Sequence, residues 1–196
     1  MQAKLKANTF MGQDKVYTLR WYGSFESIEE VGAFEKTHPD IDCKIYMFHG
    51  YKKSAKINES YYCGQATKGV YKRLMNQGHH IYELSRISGI WIGSISNTEP
   101  QKEDINYVEN LLTAELRDQV GEKSMLNEIN MNFPKYNIYI INVWNRKKNL
   151  ERIQRYTKYS LPDIVPDLIG SEYYTDPTPH KNVFGSNKIK WLNITF

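Results

Sequence analysis

SYYCGQATKGVYKRL, residues 60–74, is the stretch on which the reading of this chain turns. Tyr61, Tyr62 and Cys63 form a tyrosine-rich apolar run of the kind that makes a strand, and Gly64 ends it. A turn of small residues follows. Thr67 is placed to cap a helix running to about Asn76, with Gly78 as its stop. A strand–turn–helix needs a glycine or a cap, but it does not need adjacent tyrosines at one end and Arg73 at the other.

Outward from this stretch, residues 43–51 (CKIYMFHGY) read as a strand. The polar run 52–60 reads as a hairpin loop, so the two strands are expected to pair antiparallel. Upstream, 16–25 (VYTLRWYGSF) is another strand. Ser27 and Glu30 form a capping box for a short helix, which the His38-Pro39-Asp40 turn ends. Downstream, 79–87 (HHIYELSRI) reads as a helix and 90–96 (IWIGSIS) as a strand. Thr98 with Gln101 reads as a second capping box, opening a long helix to about Val120. A fourth core strand is expected at 136–144, a basic helix at 145–158 and a last strand at 188–196. The expected fold class is α+β: one domain over residues 1–196, with a small antiparallel sheet flanked by helices.

The chain's 196 residues suffice for one domain with a real core, and 40% hydrophobic against 24% charged residues excludes a disordered chain. Cys43 and Cys63 lack CxxC partners, which argues against a disulfide framework or a structural zinc site. No apolar run reaches membrane-spanning length and the first ten residues lack a signal-peptide core, so the expectation is a soluble cytoplasmic protein with no membrane partner. Fifteen tyrosines suit a tyrosine-rich strand core and nucleic-acid contacts alike. The net charge of +4 is compatible with a polyanionic partner. Residues 145–158 hold six basic residues and one acid. On a helix, at roughly 100° per residue, Leu150, Ile153 and Thr157 share one face, and Lys147, Lys148, Arg152, Arg155 and Lys158 fall opposite. Two readings stand for that face: a solvated exterior, or a phosphate-contacting helix.

Several site types are absent from the sequence: GxxxxGK[ST], GxSxG, HExxH and any metal-spaced Cys/His cluster. His79 and His80 are adjacent and would diverge on a helix, so a surface or capping role is their default. On the long helix, Ile105, Val108, Leu111, Leu112 and Leu116 make an apolar stripe, with Glu109 and Glu115 on its opposite edges and Glu103 pointing away. A carboxylate beside a buried face is costly unless it meets a cation, a donor or water. The choice is a salt-bridged glutamate or a carboxylate gripping a divalent metal.

In order, KIY (44–46), YCG (62–64), Arg73, Glu109 within VENLL (108–112) and Asn127 within LNEIN (126–130) resemble the motifs of the GIY-YIG nuclease superfamily. The resemblance covers residues 43–130. It leaves 1–42 as an N-terminal strand–helix extension and 131–196 as a C-terminal extension with the basic helix. It implies a metal-dependent DNA endonuclease, of restriction type because the chain is compact. A repair or structure-specific nuclease and a catalytically silent nucleic-acid-binding module are the alternatives within the same fold, and a purely structural or protein-interaction domain is a third. By the resemblance, Glu109 would bind Mg²⁺ (or Mn²⁺) and Arg73 would hold a non-bridging phosphate oxygen. Tyr46 would orient or deprotonate the attacking water, Tyr62 would hydrogen-bond water or phosphate, and Asn127 would pin the site. Gln65 stands where some members have a lysine assisting the base, and Gln77 lies one turn after the arginine, where many have His or Tyr. His79 and His80 follow slightly later. The chain departs from the motifs at Lys44 for glycine and Cys63 for isoleucine. It also has a long Tyr46–Tyr62 interval, which implies an enlarged hairpin loop. Trp21, Trp144 and Trp191 would join the basic residues in gripping DNA, and cutting both strands implies a homodimer.

Overall fold

Strand β1 (Lys15–Phe25) lies near the middle of the sheet on which the rest of the fold is arranged. After it come helix α1 (Ile28–Thr37), strands β2 (Ile45–Lys52) and β3 (Glu59–Gln65), helix α2 (Val70–Leu74) and a 3₁₀ turn (His80–Glu83). Strand β4 (Leu84–Ile95), helix α3 (Lys102–Val120), strand β5 (Ile138–Arg146), helix α4 (Leu161–Ile164) and strands β6 (Leu168–Tyr174) and β7 (His180–Ser186) complete the order. The computed structural model describes residues 14–54, 57–96, 98–127, 136–174 and 180–186. The expected last strand at 188–196, with Trp191, lies outside the described residues.

The fold is α+β, but the sheet is neither small nor antiparallel throughout. Among the described residues seven strands lie in the order β3-β2-β4-β1-β5-β6-β7, and β1 pairs parallel with β5. The segments expected as extensions thus supply two adjacent inner strands. Burial is the reason: Leu19, Trp21, Ile140 and Trp144 are fully buried, at roughly 1.5–3 kcal/mol for each large apolar side chain. Trp21 and Trp144 stack at 5.2 Å, and Trp91 meets Trp144 edge-on. These two tryptophans are core, not DNA-gripping surface. Among the described residues no helix is long and apolar enough to cross a membrane.

One sheet face packs under α3, whose Val108, Leu111, Leu112 and Leu116 are buried, and the other under α1 and α2. Ser27 caps α1 as its sequence suggests, accepting the Glu30 N–H. Helix α3 starts later than expected: the reciprocal box is Gln101 with Asp104, not Thr98 with Gln101, and Lys15 and Tyr17 of β1 anchor the same Asp104 carboxylate. The expected helix at 79–87 shrinks to the single 3₁₀ turn, because β4 needs Leu84 onward to pair with β2.

The basic helix at 145–158 does not form. Strand β5 runs on through Arg146, and the chain then doubles back: Arg146 N–H bonds the Glu151 carbonyl and Ile153 N–H bonds the Trp144 carbonyl. Asn149 holds the turn by accepting the Glu151 N–H and donating to its carboxylate, the local bonding by which asparagine favours turns. Leu150 and Tyr159 both take positive φ, which a helix forbids.

Candidate active site

The register of β2 against β3 sets Tyr46 opposite Gly64 and Phe48 opposite Tyr62, so both tyrosines project from one face. Their rings lie 5.8 Å apart and nearly parallel, with Phe48 stacked on Tyr62 at 4.9 Å. Gly64 is a glycine because the Tyr46 phenol lies across it. A Cβ there would sit 2.5 Å from a Tyr62 ring carbon and 2.7 Å from Tyr46 Oη.

Helix α2 carries Arg73 onto this pair. Its start differs from the Thr67 cap expected: Gly69, at φ 89°, is the cap position and offers no side chain. The Glu35 carboxylate of α1 supplies the missing acceptor, taking the N–H groups of Val70 and Tyr71. The helix ends at Leu74. The Arg73 guanidinium faces both phenols. Burial pushes both phenols above the usual tyrosine range, and the guanidinium offsets only part of that rise.

His79 packs against both phenol rings, 5.6 Å from Tyr46 and 5.2 Å from Tyr62. Its Nδ1 accepts the Ile81 N–H at 3.1 Å, and its Nε2 lies 2.7 Å from Tyr46 Oη. A neutral imidazole has one donor nitrogen, so Nε2 bears the hydrogen and donates it to the phenol oxygen. Burial, helped by Arg73 and His80, depresses His79 to a pKa of about 4, so the ring is neutral at pH 7. As pH falls from 6.5 to about 4, the unfolded chain takes up a proton here that the folded chain refuses, and stability is lost on acidification. Replacing His79→Gln is expected to flatten that dependence by at most about 1.4 kcal/mol per pH unit, read from denaturant melts across the window. An unchanged slope would refute the assignment.

Glu109 reaches the same place from the opposite sheet face. This is feasible because β3 is an edge strand and α3 runs beneath its C-terminal end. Gln65, the last residue of β3, donates its Nε2 hydrogens to Glu109 Oε2 at 2.6 Å and to Asn106 Oδ1 at 2.7 Å. Burial raises the Glu109 pKa, while Gln65 and the Arg73 charge oppose that rise. Tyr62 feels the charges of both Arg73 and Glu109. Asn127 donates to the Cys63 carbonyl at 2.9 Å and Leu126 N–H bonds the Tyr61 carbonyl, so residues 125–127 cover the outer edge of β3.

Tyr46, Tyr62, Arg73, Glu109, Gln65, His79 and Asn127 therefore gather at one end of β3. Tyr46 is fully buried and Tyr62 is 6% exposed, so of the two buried phenols only Tyr62 retains any exposed surface. His80 meets the Tyr62 ring at 5.4 Å but turns Nδ1 to Glu83, and Gln77 lies exposed in the turn after α2, with His79 in the place expected for it. Lys147, Lys148, Arg152, Arg155 and Lys158 do not share a helix face. They lie on the loop after β5, and Lys147 is paired with Glu30. Tyr46, Ile92, Tyr22 and Asn145 form one row across the sheet, so this loop starts about 14 Å to the side of Tyr46. Sequence reading missed Asn106, although its spacing of three from Glu109 puts both on one face of α3.

Among the described residues no three His, Cys, Asp or Glu side chains converge; the oxygens at hand are one carboxylate and neighbouring amide carbonyls. That donor chemistry suits a hard, oxygen-loving cation. Comparison with protein-family models, curated proteins and solved structures finds no match to this chain.

Proposed function

We propose that this chain is a phosphodiester hydrolase acting on DNA. More particularly, it is read as a metal-dependent endonuclease of the GIY-YIG type, working as a restriction-type enzyme and as a homodimer. One observation supports this most: side chains at 46, 62, 73 and 109, far apart in the chain, converge around the end of β3.

Phosphodiester hydrolysis needs an oriented water, a cation for the phosphoryl oxygens and help for the leaving group. Arg73 holds a non-bridging oxygen through its planar fork. Tyr62, kept a protonated phenol by burial, orients the water by hydrogen bonding. Tyr46 and His79 position Tyr62: His79 donates to Tyr46, which leaves the Tyr46 hydroxyl hydrogen free to point at Tyr62. Glu109 would hold a Mg²⁺ or Mn²⁺ ion, which would supply Lewis acidity at the phosphate.

The sealed Tyr46 and the Glu109–Gln65 bond favour one rival, a silent DNA-binding module. Plasmid incubated with Mg²⁺ and the purified chain separates the two. The enzyme yields discrete fragments, and Arg73→Ala loses about 10²–10³-fold in rate. Salt-sensitive binding without cutting identifies the module, and neither signal rejects both.

A further inference from the structure

The geometry points to Asn106 as a second protein ligand of the divalent cation, with the Gln65 amide holding the cation's place in the metal-free chain. This rests on the reading of Glu109 as a metal-holding residue and adds a ligand to it. The Gln65 nitrogen is in contact with two oxygens at once, Glu109 Oε2 and Asn106 Oδ1, and gives one hydrogen to each. An amide NH₂ so placed does electrostatically what a small cation does: it sets partial positive charge between two oxygens that would otherwise face each other. Both oxygens come from one face of α3, three residues apart, on the longest helix among the described residues, so their spacing is set by a rigid element. Gln65 instead sits at the end of an edge strand, on a side chain with three rotatable bonds. A carboxylate with an amide carbonyl is a donor pair that hard cations accept, completed by water and substrate phosphate.

The test is titration of the DNA-free chain with Mn²⁺, following the free-ion signal by electron paramagnetic resonance. Asn106→Ala is expected to weaken binding about tenfold. Asn106→Asp, nearly isosteric and negatively charged, is expected to tighten it, which guards against a folding defect in the alanine variant. Gln65→Ala is expected to bind no more weakly than wild type, since it removes an occupant and not a ligand. If both Asn106 variants match wild type while Glu109→Gln loses Mn²⁺, the second ligand is refuted and Glu109 keeps its role. If Gln65→Ala weakens binding as much as Asn106→Ala, the placeholder role is refuted. Absence of Mn²⁺ binding by wild type at millimolar concentration refutes both this ligand set and the metal-dependent reading beneath it.

Discussion

Glu109→Gln is expected to abolish cleavage while raising the melting temperature of the metal-free protein. The opposite signs come from one cause. Burial holds the Glu109 carboxyl above the ordinary glutamate value of 4.5, with Gln65 and Arg73 only partly offsetting it. The folded state therefore prefers the neutral acid more than the unfolded state does. That preference contributes stability below pH 4.5, which is lost as pH rises through the raised folded value, so at pH 7 the ionised side chain weakens the fold. Glutamine keeps the shape, still accepts from Gln65 through its carbonyl oxygen, and has no charge to desolvate. Its advantage in thermal melts should be largest at neutral pH and vanish below pH 4.5. Adding millimolar Mg²⁺ should narrow the gap, since only wild type gains from binding. On the proposed metal-dependent reading, cleavage should fall about 10³-fold or more, because Lewis-acid stabilisation of several kcal/mol would be withdrawn. A variant that cuts like wild type, or melts lower at every pH, would overturn this account.

What the sequence revealed and what it hid divide along local and distant bonding. The β2–β3 hairpin was legible because alternation and a polar loop are local, and the paired tyrosines followed from its register. The α3 stripe was legible for the same reason. The parallel pairing of β1 with β5 was not, since no local pattern tells Trp21 that its stacking partner is Trp144. Helix α2 shows the same limit: its cap is Glu35, on another helix, and Thr67 only looked the part. The basic run failed because three apolar positions at helical spacing weigh less than the backbone bonds that fold 145–153 back on β5. At the site, residue types could be read, but contact directions could not. That Nδ1 of His79 accepts from Ile81 decides which way its bond to Tyr46 runs, and only coordinates supply that.

Gly64→Ala is expected to damage fold and site together, beyond what a methyl group on a strand ordinarily does. Alanine suits a strand at least as well as glycine, so propensity alone predicts no loss. The close approach reverses this. The new Cβ would lie 2.5 Å from the Tyr62 ring and 2.7 Å from Tyr46 Oη, and Tyr46 has no empty space to move into. Overpacking of this kind costs about 1–3 kcal/mol, or roughly 2–12 °C in melting temperature for a chain of this length. Relief requires both rings to tilt, which carries the Tyr46 hydroxyl off His79 and misplaces Tyr62 against Arg73. A displacement of about 1 Å costs roughly 10²-fold in rate. Gly78→Ala is the control, since nothing lies nearer than 3.9 Å to its Cβ position, and it should change neither quantity. Combining Gly64→Ala with Tyr46→Phe sharpens the attribution. Removing the hydroxyl takes away the 2.7 Å contact and leaves those with the Tyr62 ring and with Tyr46 Cζ at 2.9 Å, so the double variant should recover part of the stability and none of the activity. If Gly64→Ala alone melts and cuts like wild type, the phenols are not held where the β2–β3 register puts them.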